Sequence, residues 1–147
     1  MKIRKLKIKD SKRAADIYNG SLEFLSSDVP IEEVKIKNFI LDKNRIFLGI
    51  FDNEKLLGHL IIKLIGKKDA SVGIVIEKKS QHKGLGGSLL KEGLKQVENK
   101  SVFAETLEYN TASQSFFEKH GFRKKEKVER KILKNGKQVS LFTFVKK

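Results

Sequence analysis

The sequence predicts a mixed α/β fold: a twisted, largely antiparallel sheet of about seven strands with four helices and a central strand–loop–helix unit. Three apolar runs separated by short turns, at residues 46–51, 56–65 and 70–76, are typical of an antiparallel meander. A glycine-rich loop and a helical pattern separate the last run from a strand-like segment at residues 102–106. That order indicates a parallel pair with a right-handed crossover. Asn135-Gly136 between two strand-like runs predicts a closing hairpin.

The first part of the chain predicts one strand and two helices. Residues 3–8 fit a strand, and Asp10 is a suitable N-cap for the helix that follows. Residues 26–30 interrupt the pattern, and Pro30 suits the first turn of a second helix. The apolar residues at helical spacing are Ala14, Ile17 and Tyr18 in the first helix, and Ile31, Val34, Phe39 and Leu41 in the second.

Two further helices are predicted in the second half of the chain. The third carries an apolar stripe and ends near Asn99, and the fourth spans about residues 111–120. Gly121 is placed to end the fourth helix in a left-handed conformation. Strand-like runs at residues 122–133 and 138–145 then flank the Asn-Gly turn. The stripe of the third helix consists of Leu85, Leu89, Leu90, Leu94 and Val97.

Length and composition restrict the class of protein. The 147 residues predict a single domain, 1–147, with a substantial core and no internal repeat. The formal net charge of +14 favours an anionic partner, either nucleic acid, an anionic membrane or a polyphosphate cofactor, but scattered lysines also suit a solvated surface. The chain has no cysteine, which excludes disulfides, thiolate metal sites and a cysteine nucleophile. We expect no metal site.

The location of the protein is predicted from what the N-terminus and the apolar runs lack. The basic N-terminus has no apolar segment typical of a signal peptide. The longest strongly apolar stretch, residues 60–65, contains Lys63 and is too short to span a bilayer. We therefore expect a soluble, cytoplasmic protein that has no membrane partner.

The motif around which the sequence is organised is Gln81-His82-Lys83-Gly84-Leu85-Gly86-Gly87, between the predicted strand at residues 70–76 and the third helix. The start of a helix offers unpaired backbone N–H groups and the positive end of the helix dipole, and glycine lets an anion approach closely. This position predicts a cradle for a pyrophosphate. A glycine-rich turn that only joins the two elements is the alternative.

Two familiar phosphate loops do not fit this motif. A Walker loop ends in Gly-Lys-Ser or Gly-Lys-Thr, and neither tripeptide occurs in the chain. A dinucleotide fingerprint requires a third glycine where Leu89 stands, and it follows its strand closely. Here the charged segment 77–83 separates the strand from the glycines.

Two segments together resemble the GNAT superfamily of acyl-coenzyme A N-acyltransferases. The first is the loop 81–86, which is similar to the (Gln/Arg)-x-x-Gly-x-(Gly/Ala) motif of the family. The second begins at Asn110 and ends with Phe116-Phe117-Glu118-Lys119-His120-Gly121-Phe122, similar to the family segment Asn-x-x-Ala-x-x-Leu-Tyr-x-x-x-Gly-Phe. The order and spacing of the two motifs make the resemblance specific, and the order of elements extends it over nearly the whole chain.

The resemblance implies that the chain is an N-acetyltransferase with acetyl-coenzyme A as co-substrate. By this resemblance the pyrophosphate lies on the backbone amides of the loop, with Asn110 and Phe117 near the cofactor arm. The arm is expected along the strand Ile74-Val75-Ile76, whose N–H groups hold the acetyl oxygen if the strand separates from its neighbour. The implied cofactor-binding residues are Ile74, Val75, Ile76, Gln81, His82, Lys83, Gly84, Leu85, Gly86, Gly87, Asn110 and Phe117.

One departure from the family pattern concerns the leaving group. Many members have a tyrosine, which protonates the departing thiolate, at the position of Phe117. Phenylalanine has no proton to donate. The sequence leaves three options open: another acid, water, or departure of the thiolate without an enzyme acid.

Transfer to an amine needs a neutral nitrogen, so a general base is expected. Glu105 is the first candidate because it ends the strand beside the predicted cleft, and a family branch that acetylates N-terminal amines has a glutamate at the similar position. His59 is the second candidate because the pKa of histidine suits proton transfer near neutral pH. Structural roles for both residues are the alternatives.

The predicted function is transfer of an acetyl group from acetyl-coenzyme A to a primary amine by direct attack, with an unidentified small molecule or protein amine as acceptor. Two alternatives stay open. One is a basic nucleic-acid-binding domain, which only the net charge and the basic segment 123–137 support, so a nucleic-acid partner is not expected. The other is a GNAT-like ligand-binding protein without catalysis, which Phe117 keeps open.

Overall fold

In the computed structural model, which describes residues 1–25 and 29–147, a seven-stranded sheet is combined with four α-helices. This confirms the predicted mixed α/β fold. The helices are α1 (Ser11–Asn19), α2 (Glu33–Leu41), α3 (Leu85–Lys95) and α4 (Thr111–Lys119). The strands are β1 (Lys2–Lys5), β2 (Arg45–Asp52), β3 (Lys55–Ile65), β4 (Asp69–Ile76), β5 (Ser101–Leu107), β6 (Arg123–Ile132) and β7 (Gln138–Lys146).

The sheet has the order β1-β2-β3-β4-β5-β7-β6, and β4–β5 is its parallel pair. The other five neighbouring pairs are antiparallel. A parallel pair needs a crossover connection, and α3 supplies it between β4 and β5. The predicted meander is therefore β2–β3–β4, and the predicted closing hairpin is β6–β7.

The parallel pair is short and opens into a gap. Ladder contacts join Asp69 to Ser101, Ala70 to Val102 and Ser71 to Phe103, and the ladder ends there. Both strands continue, β4 to Ile76 and β5 to Leu107, without pairing to each other. The two strands therefore diverge near the middle of the sheet.

Apolar residues cover both faces of the sheet. On one face, Leu89 and Leu90 of α3 pack with Leu60 and Ile62 of β3. On the other face, Ile17 of α1 and Ile36 of α2 belong to the cluster that contains Phe47 of β2. Burial of a leucine or isoleucine side chain stabilises a fold by about 1.5–3 kcal/mol, so both helix layers are held mainly by this packing.

Several element ends differ from the prediction. The helix predicted from Pro30 begins at Glu33, and α3 ends at Lys95 rather than near Asn99. Asp10 precedes α1 but does not cap it. Its carboxylate instead accepts hydrogen bonds from the Lys7 backbone N–H (2.7 Å) and the Arg4 guanidinium (2.9 Å). The predicted chain break at residues 26–30 falls partly on 26–28, outside the described residues.

Candidate active site

The gap between β4 and β5 forms a cleft of about 1570 Å³. This exceeds the 300–1,000 Å³ of a usual small-molecule pocket, so two ligands have room to meet there. One end of the cleft lies at the 81–87 loop and the start of α3, and we call it the loop end. The other end is bounded by α1, α2 and the strand face that these helices cover. We call this the helix-pair end.

The loop end has the backbone geometry of an anion site. His82 and Gly84 both have left-handed conformations, with φ of 64° and 81°, on either side of Lys83. Concavities made by successive backbone N–H groups in such conformations bind anions. The Gln81 side chain fixes the loop to the end of β4 by donating to the Ile76 carbonyl at 3.1 Å.

The first turn of α3 adds unpaired donors to this end of the cleft. The Ser88 N–H donates to the Gly84 carbonyl at 3.2 Å, so Ser88 makes the first intrahelical bond. The N–H groups of Leu85, Gly86 and Gly87 precede that bond and have no acceptor within the helix. All three residues line the cleft, and the helix dipole favours a negative charge beside them.

Side chains leave room around these amides and add positive charge. A Cβ atom at Gly87 would lie 3.0 Å from His120 Nε2, so a side chain there would have to displace the imidazole. Lys91 of α3 and Lys119 of α4 also line the cleft, although the sequence analysis did not select them. Lys83 is exposed and is not part of the cleft lining. The residues present therefore fit a pyrophosphate.

The edge of β4 that faces the gap offers further backbone donors. The Glu77 N–H donates to the Leu57 carbonyl of β3 at 2.9 Å. Because hydrogen-bonded pairs alternate along an antiparallel ladder, the Val75 amide also turns toward β3, whereas the amides of Ile74 and Ile76 turn toward the gap. The prediction of donors on this strand therefore applies to Ile74 and Ile76. The Val75 side chain packs in the cluster beneath α1 and α2.

Glu77 anchors the start of the loop. Its carboxylate accepts hydrogen bonds from the Ser80 hydroxyl at 2.8 Å and from the Arg13 guanidinium of α1. Burial acts to raise the pKa of Glu77, but the hydrogen bonds from Ser80 and Arg13 outweigh it and the pKa is lowered. A carboxylate held in this way connects α1 to the loop and is not available as a general base for an amine.

Asn110 lines the cleft and already has hydrogen-bond partners. Its Oδ1 accepts from the Ser113 N–H at 3.1 Å and so caps the N-terminus of α4. Its Nδ2 donates to the Phe24 carbonyl at 3.2 Å, and the neighbouring Tyr109 hydroxyl donates to the Glu23 carbonyl at 2.6 Å. These bonds join the turn after β5 to the segment that follows α1. A role for Asn110 toward the cofactor arm stays a prediction.

Phe117 belongs to the core and also borders the cleft. It is buried, lies edge-on to Phe122 with ring centroids 5.1 Å apart, and stacks on Phe144 of β7 at 6.4 Å. This packing makes Phe117 part of the hydrophobic core. Phe117 brings no proton donor to the cleft.

Glu105 lies on β5, exposed, beside the gap. It is directly opposite Thr143 of β7, and its backbone leaves the ladder with β4 two residues earlier, at Phe103. Glu105 and the open edge of β4 therefore face one cleft from its two diverging strands. Among the described residues that line the cleft, Glu105 has the one carboxylate.

His59 has a different environment. Its side chain is buried, edge-on to Phe47, and its Nε2 lies 3.2 Å from the Ala14 carbonyl, which assigns the proton to Nε2. Burial is the main cause of a pKa lowered to about 4, and the hydrogen bond to Ala14 opposes that effect only partly. Because His59 is only 2% exposed and its Nε2 is already bonded to the Ala14 carbonyl, it offers an acceptor amine little access, which argues against His59 as the base.

The helix-pair end contains residues that the sequence analysis did not select for function. Arg45 and Lys63 line it from β2 and β3, and Gly73 forms part of its floor on β4. Strand alternation placed Lys63 on one face, but which face the helices would cover was not visible in the sequence. The apolar and aromatic residues of this end are Tyr18, Leu25, Ile31, Phe39, Ile61 and Phe103.

Comparison with known proteins agrees with this site. The model of the acetyltransferase (GNAT) family matches residues 12–122, and the chain belongs to that family. The match covers β2 to α4 and thus both strands of the gap and the loop between them. The protein is an acetyltransferase whose co-substrate is acetyl-coenzyme A.

The individual relatives share a quarter or less of their residues with this chain. The chain is 25% identical over 143 residues to a spermidine N(1)-acetyltransferase of Thermoplasma acidophilum, covering 84% of this chain and 88% of the relative. A ribosomal-protein-alanine N-acetyltransferase from Brucella melitensis superposes with a TM-score of 0.86 at 16% identity, covering 99% of each chain. A candidate acetyltransferase from Salmonella typhimurium, solved with its cofactor acetyl-CoA, has a TM-score of 0.87 at 17% identity. That alignment covers 100% of this chain and 93% of the other.

No helix among the described residues is both long and apolar enough to cross a membrane.

Proposed function

We propose that the protein transfers the acetyl group of acetyl-coenzyme A to a primary amine by direct attack, with Glu105 as general base. One observation carries the proposal: the unpaired edge of β4 and the carboxylate of Glu105 line the same cleft from its two diverging strands. Donors for a carbonyl oxygen and an acceptor for an amine proton are thereby available on either side of one space.

The loop end would hold the cofactor. Amides of Leu85, Gly86 and Gly87 suit the pyrophosphate, and Lys91 and Lys119 add attraction. Bound there, acetyl-coenzyme A supplies a thioester as the source of the acetyl group. The amides of Ile74 and Ile76 are the candidates for polarising its carbonyl, a contribution of roughly 3–4 kcal/mol per donor in comparable oxyanion sites.

On the acceptor side, the largest energetic cost is removal of a proton from the amine, and Glu105 is proposed to accept that proton. An amine with a pKa near 10.4 is protonated at neutral pH, and removing that proton costs about 4.6 kcal/mol at pH 7. Glu105 takes the proton directly or through one water. Its exposure in the cleft allows an amine to approach, whereas His59, which also borders the cleft, is almost fully buried and already bonded to the Ala14 carbonyl.

No side chain needs to protonate the leaving group. Phe117 has no acidic hydrogen, and the thiol of the cofactor resembles a free cysteine, with a pKa near 8.5. Such a thiolate leaves readily at neutral pH. The loop amides and lysines attract the phosphates of the free product, so its release is expected to be salt-dependent.

The proposal is tested by following thiol release from acetyl-coenzyme A with a panel of amines, and by mass spectrometry of the products. The panel should contain spermidine, a peptide with N-terminal alanine, a lysine peptide and free amino acids. The first two are suggested by the names of the relatives. We expect amine-dependent thiol release and an acetylated nitrogen in at least one product. Tight binding of the cofactor without acetylation of any amine would favour a ligand-binding protein without catalysis.

A further inference from the structure

We propose that the acceptor is a small amine that also carries an anionic group, and that Lys63, supported by Arg45 and Lys35, binds that group at the helix-pair end. This inference rests on the proposed acetyl transfer and specifies its substrate class. The amine would lie toward Glu105 and the anion toward Lys63, with a hydrocarbon segment between them.

The first support is the register of the sheet. Arg45 of β2 is directly opposite Lys63 of β3, and Lys63 is directly opposite Ser71 of β4. Paired residues project from the same face, so two cations, the half-buried Arg45 and the exposed Lys63, are neighbours on the face that borders the cleft. Like charges in this arrangement destabilise a sheet unless an anion lies near them.

The second support is the inventory of charges around these two cations. Arg45 is ion-paired with Asp42, and its guanidinium lies 4.3 Å from the centre of the Phe39 ring. The Lys35 ammonium lies 5.8 Å from the same ring. The pKa of Asp42 is lowered by the Asn44 N–H and also by the charges of Arg45 and Lys63, so this single carboxylate acts on both cations and leaves the group of three with a surplus of positive charge. Within the described part of the chain, neither Lys35 nor Lys63 forms an ion pair.

The third support is that three described glutamates, Glu23, Glu32 and Glu33, are not part of the cleft lining. A site for a polycation such as spermidine would need several carboxylates. Glu23 is paired with Lys78 and Glu33 with Lys37, and neither lines the cleft. Glu32 is exposed and lies outside the lining as well. Outside residues 26–28, Glu105 is the single carboxylate of the lining.

The spacing between Glu105 and Lys63 sets the length of the acceptor. Ser71 is paired both with Lys63 and with Phe103, so these three residues form one row across the sheet. Glu105 lies two residues beyond Phe103 on the same face and two strands away from Lys63. Regular strand spacing alone would place the two backbone positions on the order of 10 Å apart, and the divergence of β4 and β5 beyond Phe103 makes the distance longer.

The surface between the two charged positions is apolar and open. Ile61 and Phe103 line it, and Gly73 is its floor. A Cβ atom at Gly73 would meet only Ile61 Cγ2, at 3.7 Å, so the space above this glycine is empty. A chain of several methylene groups suits such a surface.

The experiment compares acceptors that differ only at the end remote from the amine. 6-Aminohexanoate carries a carboxylate there, 6-aminohexanamide a neutral amide and 1,6-diaminohexane a second ammonium. We expect kcat/KM for 6-aminohexanoate to exceed kcat/KM for 6-aminohexanamide by about tenfold. The value for 1,6-diaminohexane should be lower than both. An aminoalkyl phosphate of matched length identifies which anion is preferred, and it too should exceed the amide.

Two matched lysine substitutions assign the effect to the cleft. Lys63→Met keeps the length of the side chain and removes its charge, and we expect the preference for the carboxylate to fall to within about twofold of the amide. Lys137→Met removes the same charge from the β6–β7 turn, which is exposed and away from the cleft, and should leave the preference unchanged. Lys63→Glu should invert the order so that the diamine becomes the best acceptor.

The inference is overturned if wild type acetylates the amide or the diamine as efficiently as the carboxylate, or if Lys63→Met leaves the preference intact. Failure of the proposed acetyl transfer is a different result, because no amine would then be acetylated at all. In that case calorimetry still decides the inference. N-acetyl-6-aminohexanoate must bind the coenzyme A-loaded protein more tightly than its amide does, and equal affinities would contradict the proposal.

Discussion

The two ends of the cleft are built from different parts of the chain. The loop end uses backbone amides from one contiguous segment, which begins at the end of β4 and runs into α3. The helix-pair end uses side chains from β2, β3, β4 and β5 together with α1 and α2. The first is a local structure, whereas the second depends on register across the whole meander.

This difference suggests how the two ends can change independently. Backbone donors are available with almost any sequence that permits the left-handed conformations at His82 and Gly84. Side chains such as Lys63 and Arg45 are replaceable one at a time without loss of the loop. A common cofactor site can therefore be combined with acceptor sites of different charge, and substitutions at one end should leave the other end functional.

The largest expected effect is at the acceptor side. Glu105→Gln keeps the size of the side chain but removes its ability to take a proton, so kcat should fall by about 10²–10⁴-fold. The affinity for acetyl-coenzyme A should hardly change, and raising the pH should restore part of the rate because more amine becomes neutral. The measurement is thiol release over a range of pH, with calorimetry for the cofactor.

The control for this substitution is Glu98→Gln, an exposed glutamate after α3 and outside the cleft lining. Turnover of Glu105→Gln within twofold of wild type at every pH would show that Glu105 is structural. The general base would then have to be sought among other residues.

A smaller effect concerns His59, whose pKa of about 4 in the fold lies below the unperturbed value of 6.5. Between these two pKa values the His59 imidazole binds a proton in the unfolded state but not in the folded state. The free energy of unfolding therefore decreases as the pH falls from about 6.5 toward 4. The loss reaches about 3 kcal/mol in the free energy of unfolding. Urea unfolding at pH 7 and pH 4.5 should show this loss in wild type and not in His59→Leu.

Other acidic groups do not obscure this comparison. The lowered pKa values of Asp10 and Glu77 also reduce stability in acid, but both residues are present in wild type and variant. If the free energy of unfolding depends on pH equally in wild type and His59→Leu, then burial does not hold His59 neutral. Its candidacy as a base would then regain support.

The smallest effect is expected at Phe117, which borders the cleft near the loop end. If no enzyme acid acts on the leaving thiolate, Phe117→Tyr should keep kcat within a few-fold of wild type, or raise it where the new hydroxyl reaches the sulfur. The measurement is kcat from thiol release for wild type and Phe117→Tyr, together with the affinity of each protein for acetyl-coenzyme A. A large loss of kcat in a folded variant with normal affinity would show that an apolar ring is required there.

The sequence predicted the loop end well because its signals are local. Glycines between a strand and a helix, with a second motif at Asn110, were sufficient to predict where backbone donors lie. The separation of β4 from its neighbour was only a condition in the sequence analysis, and the structure shows it where the ladder with β5 ends at Ser71 and Phe103. Lys83, which belongs to the motif, is outside the lining because its neighbours His82 and Gly84 turn the backbone there.

The helix-pair end was less predictable because it depends on non-local pairing. Arg45 and Lys63 become neighbours only through the register of β2 and β3, and periodicity within each strand does not contain that register. His59 was selected for its chemistry, yet its burial depends on how α1 packs and on the Ala14 carbonyl. The bond from Asn110 to Phe24 joins residues far apart in the chain, so no local pattern indicated it.

The central claim, one cleft with two separable ends, is tested most directly by a crossed pair of glycine substitutions. A Cβ atom at Gly86 would meet Phe116 at 3.4 Å, and one at Gly73 would meet Ile61 at 3.7 Å, so valine is expected to be accommodated by the fold at both positions. Calorimetry with acetyl-coenzyme A, and KM for the best acceptor, should be measured for wild type, Gly86→Val and Gly73→Val. We expect Gly86→Val to weaken cofactor binding strongly, and Gly73→Val to raise the acceptor KM while cofactor affinity stays near that of wild type. Normal cofactor binding by a folded Gly86→Val, or equal loss of cofactor affinity in both variants, would contradict the account.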